Sequence, residues 1–464
     1  MVRFLLVLVL AVGGLVPSSA EAQPLADTSI TGSWLGTLKV PDGEFRVVFH
    51  LRRNQDSELT GTMDSPDQGA TGIQLSQVVR TADTLRIGVR SISGQFAGVI
   101  DMQKQTIDGQ WAQGPARLPL TLRKTDEAPS IERPQQPQKP LPYRVENIQF
   151  SAPDGVPLAG TLTIPRGTGR HPGVLLIAGA GAQDRDASVA GHRPFRVWAD
   201  QLTRAGFAVL RYDERGVGAS EGEPQGLTTE ELSRDAEAAL TSLASRTEVN
   251  DEPLAVIGHS EGGTIATMIA NRDNRVDAVV LLATPSVPGD DVLSDQLDIR
   301  AEANNVDDRT RAMQRGTQER IFRAIKENAD STAMANELRR VLIDSQGIRG
   351  EEVIQQEIQR LTAPWLRAFL RYDPAPALRR LDEPVLAIYG TRDTQLKPEK
   401  NARALREALS GGASSDITIR EIHGLNHLLQ PATTGRPGEY GRIELTVAPQ
   451  VLDLVATWLD DRLR

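Results

Sequence analysis

Two hydrophobic rhythms divide the chain. Over residues 26–124 apolar and polar positions alternate in short runs, among them GSWLGTLKV, FRVVFHLRR, TLRIGVR and FAGVID, with Gly, Asp and Asn between them. Strands this short and this regularly spaced predict an all-β barrel or sandwich. Trp34, Phe96 and Trp111 belong in its core on this reading, with ligand stacking as the alternative. Residues 125–142, TDEAPSIERPQQPQKPLP, are too rich in Pro, Gln and charge to bury a core and read as an extended linker.

From Tyr143 the rhythm changes. A hairpin turning at Asp154-Gly155 is followed by continuous apolar runs that alternate with amphipathic stretches. GVLLIAGA, FAVLRYD, PLAVIGHS, VDAVVLLATP, PVLAIYG and DITIREI read as strands. PFRVWADQLTRAG, EGGTIATMIANR, PEKNARALREALS and the closing TVAPQVLDLVATWLDDRL read as helices. Thr228 and Glu231 form a capping-box pattern at the start of a further helix. Buried strands between helices imply a mostly parallel sheet covered on both faces. Residues 286–380 interrupt the alternation with charged helical sequence, which predicts either a helical cap over one end of the sheet or a separate helical unit at its side.

Bulk properties narrow the function classes. The chain has 464 residues, a net charge of −9 and no cysteine. The acidity disfavours nucleic acid as a partner, and disulfides, thiolate nucleophiles and cysteine-based zinc sites are excluded. Arg3, the apolar run FLLVLVLAVGGLV and the Ala20-Glu21-Ala22 site predict a signal peptide over residues 1–22. The run is shorter than the roughly 20 residues that a membrane anchor needs. A mature chain beginning near Gln23, periplasmic or secreted and without a stable membrane anchor, is the expectation.

The candidate chemistry centres on Gly258-His259-Ser260-Glu261-Gly262, a Gly-x-Ser-x-Gly pattern between a predicted strand and a predicted helix. Such a turn lifts a serine above the sheet at a helix N-terminus, and small residues at 258, 262 and 263 admit the close backbone approach. A glycine-tight turn without chemistry is the plain alternative. A serine nucleophile needs a base, and in this architecture the acid and then the histidine follow it in the chain. Of 6 histidines, His423 and His427 lie downstream, and His427 stands further into the loop. Asp393, just past a predicted strand, is the candidate acid. The oxyanion donors are expected at the backbone N–H of Glu261 and of Ala180 or Gly181, which leaves the Glu261 side chain free to point away. Asp184 and Arg185 are substrate-adjacent candidates that could instead pair locally, while Asp213, Arg215 and Ser220 are expected to brace loops.

With these pieces together, residues 143–464 resemble the α/β-hydrolase superfamily, and more narrowly its bacterial serine-esterase branch. The resemblance rests on AGAGAQDRD (178–186), RYDERGVGAS (211–220), GHSEGG (258–263), YGTRD (389–393) and GLNH (424–427). The branch usually has Ser and Pro where this chain has Ala180 and Ala182. The resemblance implies Ser260 as nucleophile, Asp393 as acid and His427 as base, acting on a small-molecule ester with no metal or organic cofactor. A serine peptidase or amidase of the same fold is the second reading, and a catalytically inert binding protein the third. The β region resembles a domain found ahead of similar exported hydrolases and carries no assigned activity.

Overall fold

The computed structural model describes residues 30–464 except 41–42, 128, 130, 225, 329 and 347–349. The expected signal peptide lies outside the described residues. Within them the N-terminal strands are β1 (Gly32–Val40), β2 (Gly43–Arg53), β3 (Leu59–Ser65), β4 (Ala70–Gln74), β5 (Gln77–Thr81), β6 (Thr84–Val89), β7 (Gly94–Asp101), β8 (Thr106–Gln113) and β9 (Ala116–Thr125). They form one antiparallel sheet in the order β4-β3-β2-β1-β9-β8-β7-β6-β5. Its two edge strands, β4 and β5, are consecutive in the chain and separated only by residues 75–76. A flat sheet of that width would hold its edges about 38 Å apart, and two residues span less than about 11 Å. The sheet therefore rolls up, and the expected barrel or sandwich is a half-barrel. Trp34, Phe49, Phe96 and Trp111 are fully buried inside it, with the Phe49 ring 6.1 Å from Phe96 and 6.2 Å from Trp111. The aromatics serve the core, and the Trp34 indole donates to Ile30 O at 2.8 Å.

The second sheet runs β10-β11-β13-β12-β14-β15-β16-β17. Its strands are β10 (Arg144–Ser151), β11 (Pro157–Ile164), β12 (His171–Ile177), β13 (Ala208–Tyr212), β14 (Val249–His259), β15 (Val276–Leu282), β16 (Val385–Gly390) and β17 (Ile417–Ile422). The hairpin β10–β11 is antiparallel, and every pairing from β13 onward is parallel. Helices α1 (Pro194–Arg204) and α11 (Pro449–Leu463) cover one face. Helices α2 (Thr229–Ala244), α3 (Glu261–Ala270) and α10 (Pro398–Ser410) cover the other. Double cover explains the continuous apolar strands: Val280 and Leu386 pack on one side, Val279 and Val385 on the other, all fully buried. Each such side chain contributes about 1.5–3 kcal/mol on leaving water. The capping box of α2 is complete, with Thr228 N donating to Glu231 Oε2 at 2.7 Å.

Between β15 and β16 the chain forms α4 (Gly289–Ala303), α5 (Asp308–Glu327), α6 (Ser331–Gln346), α7 (Glu351–Leu361), α8 (Pro364–Arg371) and the short α9 (Ala375–Leu378). Ile325, Leu338, Leu342, Ile358 and Leu370 give this unit its own small core. It is a cap rather than a side unit, because α8 reaches the rim where Ser260 stands: Trp365 bonds to Glu261 at the start of α3. The described residues of the Pro/Gln-rich stretch after β9 form no helix or strand, yet the stretch is not a loose tether. Arg133 and Gln135 bond across to residues 441–447, docking that composition alone does not reveal.

Candidate active site

Strand β14 delivers Ser260 into a turn with φ 54° and ψ −123°. This left-handed backbone is strained for any residue with a side chain, and it holds the serine at the N-terminal end of α3. The flanking glycines are steric necessities. A Cβ on Gly258 would lie 2.1 Å from Gly262 O, and one on Gly262 would lie 2.2 Å from Ile177 O. Gly263 packs in the same way against Thr284. The loop after β12 crosses directly over the turn, with Gly179 so close that a Cβ there would sit 3.0 Å from Ser260 Cβ. Ala180 and Gly181 follow in that loop, and Glu261 is the first residue of α3, where an N–H has no carbonyl within its own helix. Local positive potential from these groups and the helix dipole favours an anion beside Ser260.

Asp393 follows the end of β16, and His427 lies in the loop after β17. Their side chains meet: His427 Nδ1 donates to Asp393 Oδ2 at 2.7 Å, with both side chains at most 5 % exposed. Asp393 Oδ1 accepts from Gln395 N at 2.7 Å and Leu396 N at 3.0 Å. The carboxylate is thus fixed at both oxygens, and it fixes the imidazole with Nε2 as the free acceptor. His423 is exposed. Among the described residues no hydrogen bond joins Ser260 to the His427 ring, a gap that commonly tightens when substrate binds.

His259, adjacent to Ser260, bears on this pair in a way the sequence reading did not foresee. Its Nε2 donates to His427 O at 2.8 Å, and the two rings lie 5.0 Å apart. Burial pushes the His259 ring from 6.5 down to about 4, and the neighbouring His427 adds to the shift. In the unfolded chain this ring binds its proton near pH 6.5, whereas the native protein resists until about pH 4. Stability tied to it is therefore present above pH 6.5 and is lost as pH falls toward 4. His259→Gln lacks this titration. The stability margin of the wild type over His259→Gln is expected to shrink by roughly 3 kcal/mol from pH 7 to pH 4, measured by urea unfolding at each pH.

The Glu261 side chain corrects an expectation. It does not point away: it is buried, and its Oε1 accepts from Thr229 Oγ1 at 2.5 Å and from Trp365 Nε1 at 2.8 Å. Burial raises its pKa. Among the described residues its Oε2 and the Tyr372 hydroxyl have no hydrogen-bond partner, and both residues line a cavity of about 10 Å³, room for one water. No sequence signal marks Trp365 as the partner across the cap. Glu261→Gln retains an acceptor for both donors and should leave stability and turnover close to wild type. Glu261→Ala strands both donors and should cost about 3 kcal/mol, visible as a lower melting temperature.

The neighbouring loops are held by their own charges. Arg185 donates to Asp213 Oδ1 at 3.0 Å, Asp213 Oδ2 at 2.6 Å and Thr161 Oγ1 at 2.8 Å. Asp184 Oδ1 accepts from Asp186 N and Ser188 N, each at 3.0 Å. Asp184 bonds within its own loop, and Arg185 ties that loop to Asp213 and to Thr161 of β11, so both make the local pairs that were the alternative to touching substrate. Ser220 joins Asp213 O to Ala159 N, and Arg215 bridges Asp154 and Asp235.

A serine on a strained strand–helix turn, at the rim of a doubly covered sheet, coincides with a sequence match over residues 172–422, more than half of the chain, to the alpha/beta hydrolase fold family. The chain belongs to that family. Membership supports a general hydrolase activity. Among curated proteins the chain is similar to the esterase EstD of Thermotoga maritima, 29% identical over 69% of this chain and 70% of the esterase. It is also similar to the uncharacterized protein YfhR of Escherichia coli K12, 29% identical over 34% of this chain and just over half, 56%, of YfhR. Among solved structures, the hypothetical protein PA2218 of Pseudomonas aeruginosa is 17% identical, with a TM-score of 0.44 over 73% of this chain and all of that one.

Proposed function

We propose that this alpha/beta hydrolase is an exported serine esterase of the branch with a Gly-His-Ser-Glu-Gly-Gly turn, acting on small carboxylic esters. The observation that carries the reading is the buried 2.7 Å bond between His427 and Asp393, at strand ends next to the loop of Ser260. In the proposed mechanism Ser260 Oγ attacks the ester carbonyl as His427 Nε2 takes its proton. Asp393 holds the ring in the required tautomer and stabilises the imidazolium. The backbone N–H groups of Glu261 and of Ala180 or Gly181 receive the oxyanion. His427 then protonates the leaving alcohol, and water, deprotonated by the same ring, releases the acid and restores Ser260. The buried neutral His259 adds no positive charge beside the imidazolium.

The ester preference draws on the likeness to an enzyme called an esterase. A fluorophosphonate should label Ser260, and short acyl esters should be cleaved faster than aminoacyl or dipeptide amides. A marked preference for the amides would make the enzyme a peptidase, and no adduct at all would leave an inert binder. Export draws on the N-terminal sequence alone, and mature protein recovered from the source should begin near Gln23.

A further inference from the structure

The loop that carries His427 is long and irregular. From the end of β17 at Ile422 to the start of α11 at Pro449, its only helical element is the 3-10 turn Pro437–Arg442. Segments of this length have no ladder of their own and take their order from contacts. Within the catalytic domain His192 bonds to Tyr440 O and Thr446 Oγ1, and Arg392 to Ala432 O. Further contacts come from the half-barrel and from the Pro/Gln-rich stretch 125–142, the strap behind it. The Arg133 guanidinium donates to Ile443 O at 2.5 Å and Gly441 O at 2.6 Å, and also to Ala190 O at 3.2 Å. Gln135 Oε1 accepts from Thr446 N at 2.6 Å and Val447 N at 3.0 Å, while its amide donates to Val447 O at 2.7 Å. From the half-barrel, Glu44 O accepts from Arg442 at 2.9 Å, and Asp67 lies 3.3 Å from the same guanidinium. Gly441 is pressed so tightly on the Asp67 backbone that a Cβ would fall 1.6 Å from Asp67 O.

The braced turn leads back to the candidate catalytic pair. Tyr440 is buried in the turn, and its hydroxyl accepts from Gln395 Nε2 at 3.1 Å. The backbone N–H of Gln395 is one of the two that hold Asp393 Oδ1. Resting on the serine-hydrolase reading above, we propose that the half-barrel and strap form an internal brace that orders the loop of the base, with Arg133 as the principal positioning residue. The half-barrel interior is filled by its aromatics, so its contribution lies on its outer face, where it meets this loop. A misplacement of about 1 Å in a catalytic group can cost two orders of magnitude in rate, which is the scale of benefit a brace can supply.

The test uses the full chain with Arg133→Ala, Arg133→Lys and, at a partly exposed contact, Arg442→Ala. Arg133→Ala should lower kcat for a p-nitrophenyl ester about tenfold, leave KM unchanged, slow fluorophosphonate labelling of Ser260 in proportion and speed amide exchange over residues 423–447. Arg133→Lys should recover part of each, because an ammonium keeps the charge but reaches fewer carbonyls than the guanidinium fork. Arg442→Ala should show the same pattern more weakly, and it decides the matter alone if Arg133→Ala does not fold. Folded variants with wild-type kcat and wild-type exchange overturn the brace. Full activity in Ser260→Ala would instead overturn the serine-hydrolase reading, while exchange over 423–447, which needs no turnover, still reports whether the brace orders the loop.

Discussion

Ser260→Ala is expected to lower kcat about a million-fold and to abolish the fluorophosphonate adduct. The turn offers one oxygen at the N-terminal end of α3, and its left-handed backbone, φ 54°, is the kind of strain a fold retains where it presents a side chain. Alanine adopts the same backbone without the hydroxyl, so melting temperature and circular dichroism should match the wild type. What survives is the stabilisation of an oxyanion by backbone donors, which acts on a water attack unaided by the serine. A variant that loses little activity would place the chemistry elsewhere in the molecule.

Asp393→Asn should lower kcat about ten-thousand-fold while leaving the fold intact. An asparagine has one acceptor oxygen where the aspartate has two. Two backbone N–H groups, of Gln395 and Leu396, claim the acceptor at the Oδ1 position. The amide nitrogen must then face His427 Nδ1, which becomes an acceptor and sends the ring proton to Nε2. A ring protonated at Nε2 cannot take the serine proton. The variant should therefore keep its KM and its melting temperature and lose only turnover. If Asp393→Asn retained wild-type kcat, the 2.7 Å contact with His427 would be structural only.

Much of the architecture was legible in the chain. Alternation at period two marked the half-barrel strands, and unbroken apolar runs marked strands covered on both faces. The capping box at Thr228 and Glu231 placed a helix start to within a residue. The choice between barrel and sandwich was not legible, because strand order depends on which edges meet, not on any one strand. The Glu261 side chain was misread for a related reason. The role expected of it was its backbone N–H, which says nothing of the side chain, and the indole that the side chain meets stands 104 positions away.

By itself the sequence determined what depends on near neighbours: the strand–turn–helix around Ser260, the glycines that admit it, and acid and base candidates just past strand ends. Local sterics and hydrophobic period act over a few residues, so they are written in consecutive letters. Only the tertiary structure decided that Asp393 and His427 bond, that Trp365 reaches Glu261 and that Arg133 grips a carbonyl 308 positions further on. Those contacts depend on how two sheets and a cap close on one another. No segment carries that information alone, because the free energy that selects it is shared among all the surfaces that become buried.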